Sequence, residues 1–91
     1  MGLWANATIT VANPKRVNIK DIVNNVLESS FRECLDETIV SSTYSKEKGV
    51  VIDLRTTHIG DTFDDIIRCV RRSLKSSDVG QYYIEVDNKY L

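Results

Sequence analysis

The spacing of hydrophobic residues along this chain switches from a period of two to a period of 3.6 and back again, and it does so twice. Residues 4–12 alternate apolar and polar side chains, which predicts a half-buried β-strand. From residue 18 to 32, apolar residues recur every three or four positions, as on one face of an α-helix. Residues 37–45 and 50–57 again favour strands, and the polar turn between them ends in Gly49.

The second half of the chain repeats this pattern once more. Residues 61–78 carry an apolar stripe at helical spacing, and residues 81–87 alternate as a final strand. Two βαβ halves with right-handed crossovers then build a four-stranded antiparallel sheet with both helices on one face. The sequence therefore predicts an α+β fold, the ferredoxin-like split βαβ (βαββαβ), with strands in the spatial order 4, 1, 3, 2.

The starts of the two predicted helices have recognisable capping residues. Asn18 precedes the first apolar stripe and suits an N-cap, because its side chain can accept a hydrogen bond from a free N–H group of the first turn. Asp61 or Thr62 is predicted to cap the second helix in the same way. We expect the first helix to begin at about residue 18 and to end at about 32.

Length and composition predict one small domain without a cofactor. With 91 residues, the chain has room for a single core, so residues 1–91 are taken as one domain. No apolar run approaches the roughly 20 residues of a membrane span, and the first ten residues do not resemble a secretory signal. The two cysteines and one histidine lack the spacing of a metal site. We expect no metal, no cofactor, no membrane contact and a cytoplasmic location, with both thiols free.

The formal net charge of −1 argues against nucleic-acid binding through overall charge, because such domains are usually strongly basic. Any function based on charge must come from local clusters. One cluster lies in the second helix, where Arg71, Arg72 and Lys75 have no acidic residue three or four positions before them. Arg68 is different, because Asp64 or Asp65 can pair with it. A solvated helix face explains most of this pattern, and a functional basic patch is the alternative.

A second cluster is expected where strands lead into helices. If strands one and three run parallel and adjacent, the loops at 13–18 and 56–61 are neighbours. Lys15, Arg16 and His58 would then lie beside two helix N-termini, an arrangement that suits an anion such as phosphate. Three aspartates at the start of the second helix oppose an anion there, and sequence alone identifies no partner for His58.

The sheet face without helices is the third candidate surface. It is predicted to present polar residues such as Asp53 and Arg55 on the central strands, with Trp4 and Tyr83 near its margins. RNA-binding domains of this topology stack bases on aromatic residues of the central strands, and none is present there. Aromatic residues beside a polar sheet face instead suit a protein interface or a homodimer.

No catalytic constellation is found in the sequence. Acylphosphatases share the predicted topology but carry a glycine-rich loop after strand one, whereas this chain has "ANPKRVN" there. The leading hypothesis is a small non-enzymatic protein-interaction module: an inhibitor, adaptor or assembly factor of the kind encoded by phages and mobile elements. The alternative is binding of an anion, nucleotide or nucleic acid through the basic residues at 15–16 or 71–75.

Overall fold

The structure is a computed structural model that describes residues 4–12 and 18–89. The elements follow one another as β1 (Trp4–Val11), α1 (Ile19–Ser30), a 3-10 helix (Arg32–Glu37), β2 (Thr38–Ser45), β3 (Gly49–Thr56), α2 (Asp61–Ser76) and β4 (Tyr82–Lys89). The predicted alternation of strands and helices is confirmed. None of the helices in the described part of the chain is long and apolar enough to cross a membrane.

The four strands form one sheet in the order β2-β3-β1-β4, and every neighbouring pair is antiparallel. This is the predicted spatial order and the predicted α+β class. Sequential neighbours β2 and β3 form a hairpin, whereas β1 is inserted between β3 and β4 through the two helical crossovers. Hydrophobic side chains on one face of the strands pack against the apolar stripes of the helices, so the helices leave the other face uncovered.

The expectation that strands one and three run parallel is wrong. β1 and β3 pair antiparallel, with Ala5 opposite Thr56 and Val11 opposite Val50. The physical reason lies in the connections: a crossover through α1 makes β1 and β2 parallel, and the tight hairpin then reverses β3. The end of β1 and the end of β3 therefore lie at opposite ends of the sheet.

The core lies between the covered sheet face and the two helices. On β1 the inward side chains Ala5, Ala7, Ile9 and Val11 are fully buried. The two helices add their apolar stripes, with Phe63 of α2 among the largest fully buried side chains. Full burial of one such large side chain stabilises the fold by about 1.5–3 kcal/mol. The period-two and period-3.6 patterns of the sequence are thus explained by a single core.

The two helices begin in different ways. Asn18 is the N-cap of α1, and its Oδ1 accepts a hydrogen bond at 3.2 Å from the N–H of Asp21, as predicted. The prediction for α2 is wrong: the N-cap is Gly60, which has no side chain to accept a hydrogen bond. Its φ of 74° is a conformation that favours glycine, so the chain can turn sharply into a helix that starts at Asp61.

The turn between β2 and β3 depends on another glycine. Gly49 has a φ of 84°, and a Cβ atom at this position would collide with the backbone oxygens of Val11 and Ala12. The Oγ of Ser45 accepts a hydrogen bond at 3.0 Å from the N–H of Lys48, which closes the turn. Glycine is thus needed at position 49 for the backbone conformation and also for the close approach to the end of β1.

Candidate functional site

The uncovered side of the sheet, here called the open face, is the surface that the helices leave free. Strand register identifies its members, because residues directly opposite each other on neighbouring strands point to the same side. One row across the sheet joins Ile39, Arg55, Asn6 and Asp87, and the next joins Ser41, Asp53, Thr8 and Glu85. The open face is therefore polar at its centre, as the alternation of the sequence predicts.

Arg55 and Trp4 form a cation–π pair on the open face. The guanidinium carbon of Arg55 lies 5.7 Å from the centroid of the Trp4 ring, within the range of attraction between a cation and an aromatic face. Trp4 remains 38% exposed although it is the only tryptophan of the chain. The pair presents a flat, partly apolar surface with a fixed positive charge to solvent.

A depression with a volume of ≈ 330 Å³ lies on the open face and is lined in part by Arg55 of this pair. Its lining contains a cation, a carboxylate and an exposed apolar side chain, contributed by Arg55, Asp53 and Ile39, together with Asn6 and Ser41. Ile39 is 59% exposed, and the Asp53 Oδ1 accepts a hydrogen bond at 3.2 Å from the Thr8 hydroxyl. The depression can therefore offer both signs of charge and an apolar contact within one small area.

His58 lies at the end of β3, where it meets the start of β2. Its Nε2 is 3.3 Å from Oε2 of Glu37, although the contact lacks hydrogen-bond geometry. The Thr57 hydroxyl donates a hydrogen bond to the same carboxylate oxygen. Glu37 is thus the neighbour that sequence reasoning missed, because the two residues are brought together only by the pairing of β2 with β3.

A chain of hydroxyl groups runs beneath His58. The His58 N–H donates to the Thr56 Oγ1 at 3.1 Å, and the Thr38 hydroxyl donates to the Cys34 carbonyl at 2.6 Å. The two threonine Oγ1 atoms are 2.9 Å apart and share a hydrogen bond. Because the single Thr38 hydrogen is used on Cys34, the Thr56 hydroxyl donates to Thr38. Thr56 is fully buried, so this chain ties the loop after β3 to the 3-10 helix.

Cys34 is buried beside this hydroxyl chain. Burial raises the pKa of the Cys34 thiol above its ordinary value, and the negative charges of Glu33 and Glu37 raise it further. A thiol with a raised pKa is mostly protonated at neutral pH and is therefore a poor nucleophile. Cys69 is free like Cys34 but only half-buried. This environment gives Cys34 a packing role.

The anion site expected from Lys15, Arg16 and His58 stays a prediction, because the structure describes only one of its three residues. Lys15 and Arg16 lie outside the described residues. The antiparallel pairing of β1 with β3 places Val11, the last residue of β1, at the end of the sheet opposite to His58. An eight-residue strand is roughly 25 Å long, which is the separation between the end of β1 and the end of β3. Within residues 4–12 and 18–89, no group of three His, Cys, Asp or Glu residues could hold a metal ion.

The basic residues of α2 differ in their surroundings. Arg68 contacts Asp65 at 3.3 Å, which confirms one of the two predicted partners, and both side chains are mostly exposed. Arg72 lines a groove of ≈ 350 Å³ between α1 and α2, together with several serines. Arg71 and Lys75 are exposed and do not line this groove. Among the described residues, none of Arg71, Arg72 and Lys75 forms an ion pair.

Comparison with known proteins identifies the fold. No protein-family model and no curated protein matches this sequence. Among solved structures, the chain is similar to the de novo designed protein Foldit4, with a TM-score of 0.60 and 18% identity, covering 99% of this chain and 100% of that one. It is also similar to a de novo designed protein with a ferredoxin fold, with a TM-score of 0.52 and 11% identity, covering 98% of this chain and 87% of that one. The fold is ferredoxin-like.

The ferredoxin-like arrangement explains why the open face exists. Both helices pack against the same side of the sheet, so one face is covered twice and the other not at all. At these low sequence identities, the similarity shows the fold and does not indicate a function. Any functional conclusion must therefore come from the chemistry of the surfaces themselves.

Proposed function

We propose that this chain is a small non-enzymatic module that binds a protein partner through its open face. The observation that supports the proposal best is the stacked pair of Arg55 and Trp4, next to the exposed Ile39. Arginine and tryptophan are enriched among residues that dominate binding energy at protein interfaces. Here they are already held together, so less side-chain entropy is lost when a partner binds.

The charges of the open face favour a partner whose binding surface also carries both positive and negative charges. Arg55 and Asp53 lie on the same strand two positions apart, and both are exposed. A partner that matches both charges gains orientation and specificity in addition to affinity. The role is that of an inhibitor, adaptor or assembly factor, of the kind that phages and mobile elements encode. The free thiols Cys34 and Cys69 favour a reducing compartment, and we propose the cytoplasm.

Affinity capture with matched variants tests this proposal. The purified chain serves as bait in a native lysate, beside Trp4→Ala and Arg55→Ala variants and an Arg71→Ala control on the helical side. We expect the wild type and the control to retain one protein in stoichiometric amount. Truncation of a dominant interface residue costs more than about 1 kcal/mol, so each open-face variant should bind at least about fivefold more weakly. Equal capture by all four proteins, or no stoichiometric protein at all, contradicts the proposal.

A second candidate function is binding of an anion, nucleotide or nucleic acid. It is favoured by one observation, the three exposed cations Arg71, Arg72 and Lys75 without an ion pair among the described residues. Titration with labelled oligonucleotides and nucleotides at low salt tests it. Binding should weaken steeply as salt is raised, and an Arg71→Ala plus Lys75→Ala double variant should have a smaller salt slope. A wild type that binds none of these ligands at low salt eliminates this function.

A further inference from the structure

The two edges of the sheet differ in charge. β4, at one edge, carries Glu85 and Asp87, whereas β2, at the other, has the sequence TIVSSTYS and no charged residue. Charged side chains on an edge strand are a common protection against pairing with another chain. Of the two edges that the structure describes, only β4 has this protection.

β2 is also accessible along most of its length. Every side chain from Ser41 to Ser45 is exposed, and Tyr44 is 70% exposed. Within the described part of the chain, β2 has a single neighbour in the sheet, β3. The outward N–H and C=O groups of alternate residues are therefore available to another strand. β-branched and aromatic residues such as Ile39, Thr43 and Tyr44 pack well in such a pair.

Opposite charges flank the two ends of β2. The 3-10 helix before it contains three acids and one cation, Glu33, Asp36, Glu37 and Arg32. The turn after it contains Lys46 and Lys48 around a single glutamate, so the first end is net acidic and the second net basic. Antiparallel pairing of two identical strands places the acidic end of each beside the basic end of the other. Parallel pairing would place like charges together, which is unfavourable.

We propose that β2 pairs antiparallel with β2 of a second copy of this chain, to form a continuous eight-stranded sheet. A two-fold axis perpendicular to the sheet keeps the helices of both copies on one side. With this axis at Ser41, Ile39 lies beside the partner's Thr43, and Lys46 lies close to the partner's Asp36. Such a pair makes roughly eight main-chain hydrogen bonds. The inference is separate from the proposed function, because the pairing uses the main chain of β2 and leaves Trp4 and Arg55 free for a partner. The open faces of the two copies then form one surface of twice the extent.

Solution mass tests the dimer directly. We expect the wild type to have twice the 10.3 kDa mass of one chain in sedimentation equilibrium. A Ser41→Lys variant should dissociate at least tenfold more readily, because two lysines would face each other at the axis. Within its own chain the new cation would lie opposite Asp53, so the monomer should still fold. Ser77→Lys, the same change at the exposed end of α2, is the matched control and should remain dimeric.

Amide hydrogen exchange of the wild type provides a second measurement that requires no variant. The outward amides of β2 should become protected as protein concentration is raised, whereas those of β4 should not change. A wild type of 10.3 kDa at all concentrations overturns the proposal, as does concentration-independent exchange along β2. Equal dimerisation of the Ser41→Lys and Ser77→Lys proteins also overturns it. Failure of the affinity capture on the open face would leave all of these results unaffected, so the two proposals fail separately.

Discussion

Val11, the last residue of β1, lies opposite Val50, near the start of β3. This pair shows that the two central strands run antiparallel and that the end of β1 and the end of β3 lie at opposite ends of the sheet. The parallel arrangement from which the anion site of Lys15, Arg16 and His58 was predicted is therefore wrong. The surfaces that remain are the open face, the uncharged β2 edge and the exposed side of α2.

Gly49 lies against the backbone at the end of β1, and its replacement should destabilise the protein. Replacement by alanine should destabilise the fold by about 2–4 kcal/mol, because the residue has a positive φ and a Cβ would collide with the backbone of Val11 and Ala12. Urea denaturation measures the free energy of unfolding. Gly60→Ala is the control, since its φ is also positive but no atom lies within 4 Å of the added Cβ, and it should lose only about 1–2 kcal/mol. Equal losses would contradict the role of the close approach.

Loss of the buried Thr56 hydroxyl is expected to destabilise the fold more than loss of a half-buried threonine hydroxyl on the open face. Thr56→Val keeps the shape but removes the acceptor for the His58 N–H and the donor to Thr38. Leaving a buried donor without an acceptor costs about 1–3 kcal/mol. Thermal and urea unfolding should report this loss, whereas Thr10→Val on the open face should change stability by less than about 0.5 kcal/mol. A smaller effect at Thr56 than at Thr10 would show that the hydroxyl chain does not stabilise the loop.

Removal of the N-cap of α1 should weaken that helix. Asn18→Ala eliminates the hydrogen bond that Asn18 accepts from the N–H of Asp21, and such a change typically costs about 1 kcal/mol. Asn25→Ala is the matched control in the exposed interior of the same helix, where alanine has the higher helix propensity and stability should be unchanged or slightly greater. Urea denaturation measures the free energy of unfolding of both variants. An equal change in this free energy at the two positions would argue against capping by Asn18.

The raised pKa of Cys34 predicts that the folded state loses stability at alkaline pH. Its pKa is raised in the folded state, so the folded protein keeps the thiol proton at a pH where the unfolded chain releases it. The resulting stabilisation is complete below the ordinary thiol pKa, about 8.5, and is lost as pH rises through the folded value. The free energy of unfolding, measured in urea between pH 7 and pH 10, should therefore fall more steeply for the wild type than for Cys34→Ala. A Cys69→Ala protein controls for removal of the other thiol, and identical slopes for wild type and Cys34→Ala would contradict the prediction.

Alkylation offers a separate measurement on the same residue. At neutral pH, iodoacetamide should modify Cys69 before Cys34, because Cys34 is only 4% exposed and its raised pKa keeps the thiolate fraction small. Peptide mass analysis at successive times distinguishes the two sites. Faster modification of Cys34 would mean that the 3-10 helix opens readily.

Several local features of the structure could be predicted from the sequence. Asn18 was recognisable as a cap because the chemistry of a cap is local, and Asp65 was recognisable as a partner of Arg68 because i, i+3 neighbours share a helix face. The cap of α2 could not be predicted in the same way. Gly60 is needed for its backbone conformation with a positive φ, and the search for a capping side chain does not detect such a requirement.

The sequence by itself determined the elements, their order and the side of each strand that is buried, because hydrophobic periodicity is a property of neighbouring residues. Only the tertiary structure decided which distant residues meet. Glu37 contacts His58 and Arg55 lies over the Trp4 ring, because strand direction and register bring together residues that are far apart in the chain. The same strand direction places the end of β1 at the far end of the sheet from His58. Long-range pairing depends on how whole elements pack against one core, and no local pattern encodes it.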